Sequence, residues 1–563
     1  MQKNKNRIKA LTELGLAIAI IIVINLIGQQ VFARFDLTKE KRFSLSKPSK
    51  DIASQLTDVV TVKIYLEGEF PAGFKRLQKS TRDLLEEYKA YAGSNIEYEF
   101  IDPLVGNKNT NEMLESLMKK GLQPTNIQIN EEDQQSQKIV VPGALISYKN
   151  GKEIPVNLMR EQFGQDPEVV LNQSIENLEY EFSSALKKCL TVKKKKIAFT
   201  TGHGEVESLK LNSIAAALSE NYDFELLNLN DVPGTELNKY DLLFIVKPEL
   251  YFEQYERFKI DQYVMHGGKL FCFLENVSAN MDSISKYEQY LTPTIQTGLD
   301  ELLFKYGARV NYNLLSDRNC LPIQLTELGA GGGKKMVLKP WSYYPVFTEH
   351  AAHPITKNLE PVLGRFAGTI DTVGNKEVRK YILLRSSEYS RSIASPAMLS
   401  FERSIRQYSE PQYFNKTNLP VAVLLEGNFT SFYKNYMNDT VLNFKGESGP
   451  NKMIIASDAD LITNSVNKKT GEAYPLGFDA ITYQRTRTMF GNKKFILNCV
   501  DYLVDGTGLI DVRSKEFKIR MLDVTKVKMQ KTKWRIVNMV FPIVMLLAFM
   551  SVNEWVRKKK YSN

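Results

Sequence analysis

Residues 196–230 read KIAFTTGHGEVESLKLNSIAAALSENYDFELLNLN, and the fold turns on how this stretch is parsed. KIAFTT has the period of a strand, ESLKLNSIAAALSENY (207–222) repeats apolar residues at helical spacing, and FELLNLN (224–230) returns to a strand. Working outward, the polar turn Asp231-Val232-Pro233-Gly234 leads into YDLLFIVKP (240–248), a nearly continuous apolar strand. A helix, FEQYERFKIDQYVMHGG (252–268), ends at paired glycines, and KLFCFLEN (269–276) is the next strand. Strands apolar on both faces that alternate with helices predict a doubly wound, mostly parallel sheet. PVAVLLEGNF (420–429) and KMIIASDADLI (452–462) are expected to extend it.

Towards the N-terminus, VVLNQSIENLEYEFSSALKKC (169–189) is a long helix linking to an earlier unit. There VVTVKIYLEG (59–68), KRLQKSTRDLLEEYKAYA (75–92) and NIEYEFIDP (95–103) form a βαβ unit. NIQIN (126–130) and KIVVPGALISYKNGKEIPV (138–156) add strands, the last pair joined at Asn150-Gly151, a hairpin signal. The expectation is a thioredoxin-like α/β domain without the redox cysteines, hence a scaffold.

The net charge of +10 lies at the ends of the chain. Lys3, Lys5, Arg7 and Lys9 precede one apolar run, LGLAIAIIIVINLI (14–27). Nine basic residues against Glu554 surround another, IVNMVFPIVMLLAFMSV (536–552), leaving the large middle nearly neutral. That distribution argues against a nucleic-acid partner. Trp534 and Trp555 bracket the second run as interfacial belts do. Both runs read as membrane spans, the first with a cleavable signal peptide ending at Val31-Phe32-Ala33 as its alternative. Lys3, Lys5, Arg7 and Lys9 at one end and Arg557-Lys558-Lys559-Lys560 at the other place both termini in the cytoplasm. The expected order is a cytoplasmic tail (1–10), a span (11–33), a connector (34–56) and the thioredoxin-like domain (57–160). The linking helix (161–192), the main α/β domain (193–515), a basic juxtamembrane segment (516–535), a second span (536–554) and a cytoplasmic tail (555–563) complete it.

Candidate chemistry is sparse. Gly202, His203, Gly204 and Glu205 lie at a strand's C-terminal end before a helix, where open α/β sheets place ligands. His203 and Glu205 could act as base and orienter of a hydrolase or transferase. No phosphate-loop frame fits, and no nucleophile is placed beside them. A structural turn or a ligand or partner contact is the preferred reading. The glycines are then needed for backbone geometry, and truncating His203, as a loop side chain, costs little, on the order of 0.5 kcal/mol. GAGGGKK (329–335) miscounts a Walker loop and has Lys335 where the magnesium-binding hydroxyl belongs. Asp458 and Asp460 lie beyond a strand with no third acid in register, so they read as helix caps. His350 and His353 are followed by Pro354, a poor frame for a zinc pair. Cys272 and Cys499 sit in apolar runs as buried thiols, Cys189 closes a helix, and no pair has CxxC spacing. No catalytic residue, cofactor or metal ligand is assigned.

Six phrases together resemble one family: RFDLTKEKRFSLS (34–46), KKIAFTTGHGE (195–205), HPITKNL (353–359), PVAVLLEGNFTSF (420–432), SDADLITN (457–464) and GNKKFILNCVDYLVDGTGLIDVRSKE (491–516). Their order and spacing resemble GldG, the gliding-motility-associated ABC transporter auxiliary (substrate-binding-like) proteins of Bacteroidetes. The resemblance implies a non-catalytic membrane subunit that works with a separate permease and a cytoplasmic ATPase, its bulk in the periplasm facing a solute or partner protein, its anchors in inner-membrane lipid. It also implies a glutamine-amidotransferase-like α/β domain lacking the amidotransferase cysteine, as in ciliary transport proteins.

Overall fold

The computed structural model describes residues 12, 14–23, 44–104, 110–131, 134–149, 151, 153–159, 167–191, 193–287, 289–328, 333–348, 353–436, 443–467, 469–514 and 524–561. The chain divides into two units, Met1–Lys515 and Glu516–Asn563.

The first unit is mixed α/β. Its N-terminal part comprises β1 (Val60–Ile64), α1 (Ala72–Ala92), β2 (Ile96–Phe100), β3 (Gly143–Tyr148), β4 (Ile154–Asn157) and α2 (Pro167–Leu190). The sheet order is β2-β1-β3-β4, with β1 parallel to β2 and both later pairings antiparallel. The β3–β4 pairing is the hairpin expected at Asn150-Gly151, although Asn150 itself lies outside the described residues. A second hairpin, Thr125–Glu131 with Gln134–Val140, stands apart from this sheet. Helices α1 and α2 are tied by polar contacts inside the core, the Tyr88 hydroxyl donating to the Glu179 carbonyl at 3.1 Å and bonding Ser183, and Ser183 also bonds Ser49 of the preceding helix Lys47–Ser54 at 2.8 Å.

The main sheet begins with β5 (Lys195–Thr201), α3 (Asn212–Ser219), β6 (Tyr222–Asn228), β7 (Leu242–Val246), α4 (Gln254–Met265), β8 (Lys269–Phe273) and α5 (Asp300–Tyr306). It closes with β9 (Val378–Arg385), β10 (Pro420–Thr430), β11 (Glu447–Ala456) and α6 (Asn492–Val504). Its order is β9-β10-β11-β8-β7-β5-β6, with five parallel strands and an antiparallel edge made by β9 and β10. Every residue of β7 is buried, as a strand covered on both faces requires. Leu242, Phe244 and Val246 join one apolar layer with α3 and α6, while Leu243 and Ile245 join the other with α4 and α5. The first layer also contains Leu178, Phe182 and Leu186 of α2 together with Val62 and Ile64 of β1, so both sheets share one continuous core.

Around the fully buried Trp341 the chain between β8 and β10 makes antiparallel pairs outside the main sheet, an insert that helix-and-strand alternation did not foreshadow. Residues 329–332, within the glycine stretch, lie outside the described residues, but its flanks Leu328 and Lys334 are paired in an antiparallel hairpin. A Walker loop needs a helix there, and a strand follows instead.

In the second unit, α7 (Val524–Tyr561) is one helix through the basic juxtamembrane residues and the apolar run, with Pro542 inside it. Met529–Lys559 is long and apolar enough to cross a membrane, with mean hydropathy 2.1. Of the first expected span, residues 14–23 are described as helix. The remainder of residues 24–33, Val31-Phe32-Ala33 included, lies outside the described residues.

Candidate functional site

In a sheet of this winding the ligand crevice opens outside the C-terminal ends of the strands, where neighbouring crossovers diverge. In strand order, that point lies between β5 and β7. The turn Gly202–Glu205 leaves β5, and Lys247–Leu250 leaves β7 beside it.

The two loops close on each other. The Glu249 and Leu250 amides donate to the His203 carbonyl at 2.8 and 2.9 Å. The His203 amide in turn donates to Glu205 Oε2 at 2.6 Å, fastening the turn to its own side chain. Gly202 and Gly204 have φ of +106° and +71°, the left-handed region that glycine enters at no steric cost. A Cβ on Gly202 would lie 2.7 Å from Asn228 Oδ1, so crowding and φ exclude a side chain there together.

His203 is not a loop side chain in the open. It is 3% exposed and stacks on Phe252, ring centroids 3.8 Å apart. Its Nε2 lies 2.9 Å from Glu256 Oε1 and its Nδ1 3.8 Å from Glu205 Oε1. Glu256 is fixed from behind, because its Oε2 accepts the Glu253 amide at 2.7 Å in the capping box that opens α4. Among the described residues no hydroxyl or thiol bonds the imidazole. The small truncation cost expected for His203 is therefore corrected: its removal empties a packed aromatic site and leaves two buried carboxylates without their neighbour.

A second group lies along the same edge. Val246, Phe273 and Ala456 align across β7, β8 and β11, and Lys247, Glu275 and Asp458 follow them. Glu275, Asp458 and Asp460 bring carboxylate oxygens within 4.8 Å of one another. Sequence reading found no third acid; the fold supplies Glu275 from a different strand. The usable signal was a charged residue one or two places past the apolar C-terminal run of each of three strands. Asp458 caps the turn after β11 as expected, accepting the Asp460 amide at 2.8 Å, and its other oxygen accepts the Arg365 amide at 2.8 Å. Burial, then the neighbouring acids, holds the Asp458 carboxyl well above the usual range, and burial also raises Glu275. The cation in this cluster is Lys247, whose Nζ lies 2.8 Å from Glu275 Oε2. Burial works against its charge, but Glu275 and Asp460 outweigh that and hold the ammonium protonated. Lys247 is thus the resident ammonium beside this acidic group, paired with Glu275 and held by the charge of Asp460.

The remaining candidates separate. Cys272 lies in β8 and Cys499 in α6, both buried with thiols pushed up by burial, which leaves no thiolate for nucleophilic work. Cys189 is half-buried and also raised by burial. His353 is buried and its Nδ1 accepts the Ile355 amide at 3.2 Å, while His350 lies outside the described residues.

Comparison with known proteins gives the class. Residues 194–499 match the family described as an ABC-type uncharacterized transport system, and residues 39–147 match a domain of unknown function (DUF7088). The match spans the whole main sheet and more than half of the chain, so the protein belongs to this ABC transport auxiliary family. An uncharacterized protein of Borreliella burgdorferi is 22% identical over 458 residues, covering 80% of this chain and 83% of its own. Among solved structures, the mmIFT52 N-terminal domain aligns with 55% of this chain and 98% of its own, at 13% identity and TM-score 0.33. A putative ThuA-like protein of Bacteroides uniformis aligns with 56% and 92%, at 13% identity and TM-score 0.26. These structural likenesses are too loose to carry an argument. Family membership and the long apolar helix associate the chain with a membrane transport system.

Proposed function

We propose that this protein is a non-catalytic, membrane-anchored subunit of an ABC transporter of the GldG kind, serving gliding motility. A permease and a cytoplasmic ATPase are its partners. Both termini are cytoplasmic, and the body binds a solute or a partner protein in the periplasm. The strand order of the first sheet supports a thioredoxin-like scaffold. The doubly wound main sheet, with no cysteine in the turn that follows β5, suits an amidotransferase-like fold without its nucleophile.

The observation carrying this reading is that the crevice between β5 and β7 is occupied by the protein's own His203, stacked on Phe252 and set between Glu205 and Glu256. A base needs access to a proton on substrate, and this imidazole is enclosed. Gly202, His203, Gly204 and Glu205 then shape the surface that a ligand or partner meets.

Thermal melts and a motility or transport assay on His203→Ala and Gly204→Val test it. Both variants should lose stability, about 2–4 kcal/mol for the histidine and ~1–3 kcal/mol for the glycine, with function falling in step with folding. A His203→Ala protein that melts like wild type yet has no function would overturn the structural reading and make the turn a working site, and a hydrolytic or transferase activity lost with it would favour the enzyme alternative.

A further inference from the structure

A small open cleft lies where the end of β4 and α2 meet α6, and polar and apolar groups share its lining. Asn157 at the end of β4 and Gln173, Asn177 and Glu181 of α2 form one side; Lys494 of α6 and Arg513 form the other. Arg513 is only 4% exposed. Its Nη1 donates to Asn498 Oδ1 at 2.5 Å, and its guanidinium lies over the Tyr180 ring, 4.7 Å from the centroid. Its Nε is buried without a hydrogen-bond partner, and among the described residues no carboxylate pairs with it. Lys494 is anchored differently, with Nζ donating to the Asn358 carbonyl at 2.7 Å and to Glu360 at 2.9 Å.

A guanidinium stays charged under all ordinary conditions. Buried charge is costly unless it is paired and its donors are satisfied. Here one N–H is unsatisfied and, among the described residues, no carboxylate pairs with the guanidinium, beside a cleft that offers several amide side chains and one carboxylate, Glu181. We propose that this cleft binds a small oxyanion, a carboxylate or phosphate group, on the free edge of Arg513, with Lys494 adding charge and the Asn157 and Asn177 amides orienting it. Guanidinium suits such groups because its N–H donors lie in a plane and can be accepted two at a time. This site lies on the α2–α6 seam, apart from the β5–β7 crevice, and stands independently of the transporter reading.

The test uses the full chain in a phosphate-free, non-ionic detergent, with acetate and inorganic phosphate titrated against chloride at constant ionic strength. The expected result is a saturable rise in melting temperature of a few degrees with at least one oxyanion and none with chloride. Acetate and phosphate as separate arms decide which group fits. Arg513→Met should abolish the rise, Arg513→Lys should retain part of it, and Lys494→Gln should weaken it several-fold in half-saturating concentration. Equal responses to oxyanion and chloride in wild type would overturn the proposal, as would an undiminished oxyanion response in Arg513→Met. Should Arg513→Met fail to fold, an unchanged half-saturation in both Lys494→Gln and Asn177→Leu would overturn it as well.

Discussion

Two histidines show how differently one residue type is used within a single chain. His203 lies between two acids. His353 packs against Tyr381 and Tyr502, and burial depresses its pKa to about 4, an effect that Glu426 offsets in part and Lys452 reinforces. The folded pKa lies below the unfolded value of about 6.5, so protonation favours unfolding. The contribution of His353 is complete above about pH 6.5 and is lost as pH falls towards 4, amounting to on the order of 2 kcal/mol. Denaturant unfolding of wild type and His353→Gln at pH 7 and 4.5 checks this: wild type should lose more stability than the variant, and parallel losses would contradict it. At this scale the sequence was a partial guide. It flagged the strain of Gly202 and Gly204 and the inertness of the cysteines. It could not show that His203 is buried, because Phe252 and Glu256 arrive from another crossover and leave no local signature in TTGHGE.

The strands deliver charge to one edge of the sheet, and Lys247 decides what that edge can do. Lys247→Met would strand Glu275 beside Asp458 and Asp460 with no neutralising partner, costing about 2–4 kcal/mol. Added magnesium or calcium should recover part of that loss in the variant, by filling the place of the ammonium, while wild type at equal ionic strength gains nothing. A wild-type protein stabilised by either ion would show that Lys247 is not the resident cation and would reopen the metal reading. The elements themselves were legible because β5, β7, β8, β10 and β11 each contain an apolar run, such as LLFIV in β7 and LFCF in β8, and such runs need cover on both faces. The acidic cluster was not, since Glu275 accepts from Ala459, 184 residues away in the chain. The glycine stretch misled by its composition and was corrected by counting, and its flanking hairpin agrees. The antiparallel insert escaped notice because its strands, which are largely half-buried or exposed, carry neither a clean alternation nor a long apolar run.

The whole molecule joins a nearly neutral α/β body to an apolar helix rimmed with basic residues, and the proposed role of the body is binding. Fusing topology reporters to each end checks the proposed orientation: cytoplasmic signals at both are expected, and a periplasmic signal at either would contradict it. The central claim, that this is a subunit rather than a free-standing catalyst, is tested most directly by affinity purification of the full chain from mild-detergent membranes, followed by identification of what co-purifies. The account predicts a permease and an ATPase in fixed proportion to the chain. Recovery of the chain alone, with a hydrolytic or transferase activity that disappears in a folded His203→Ala variant, would contradict it.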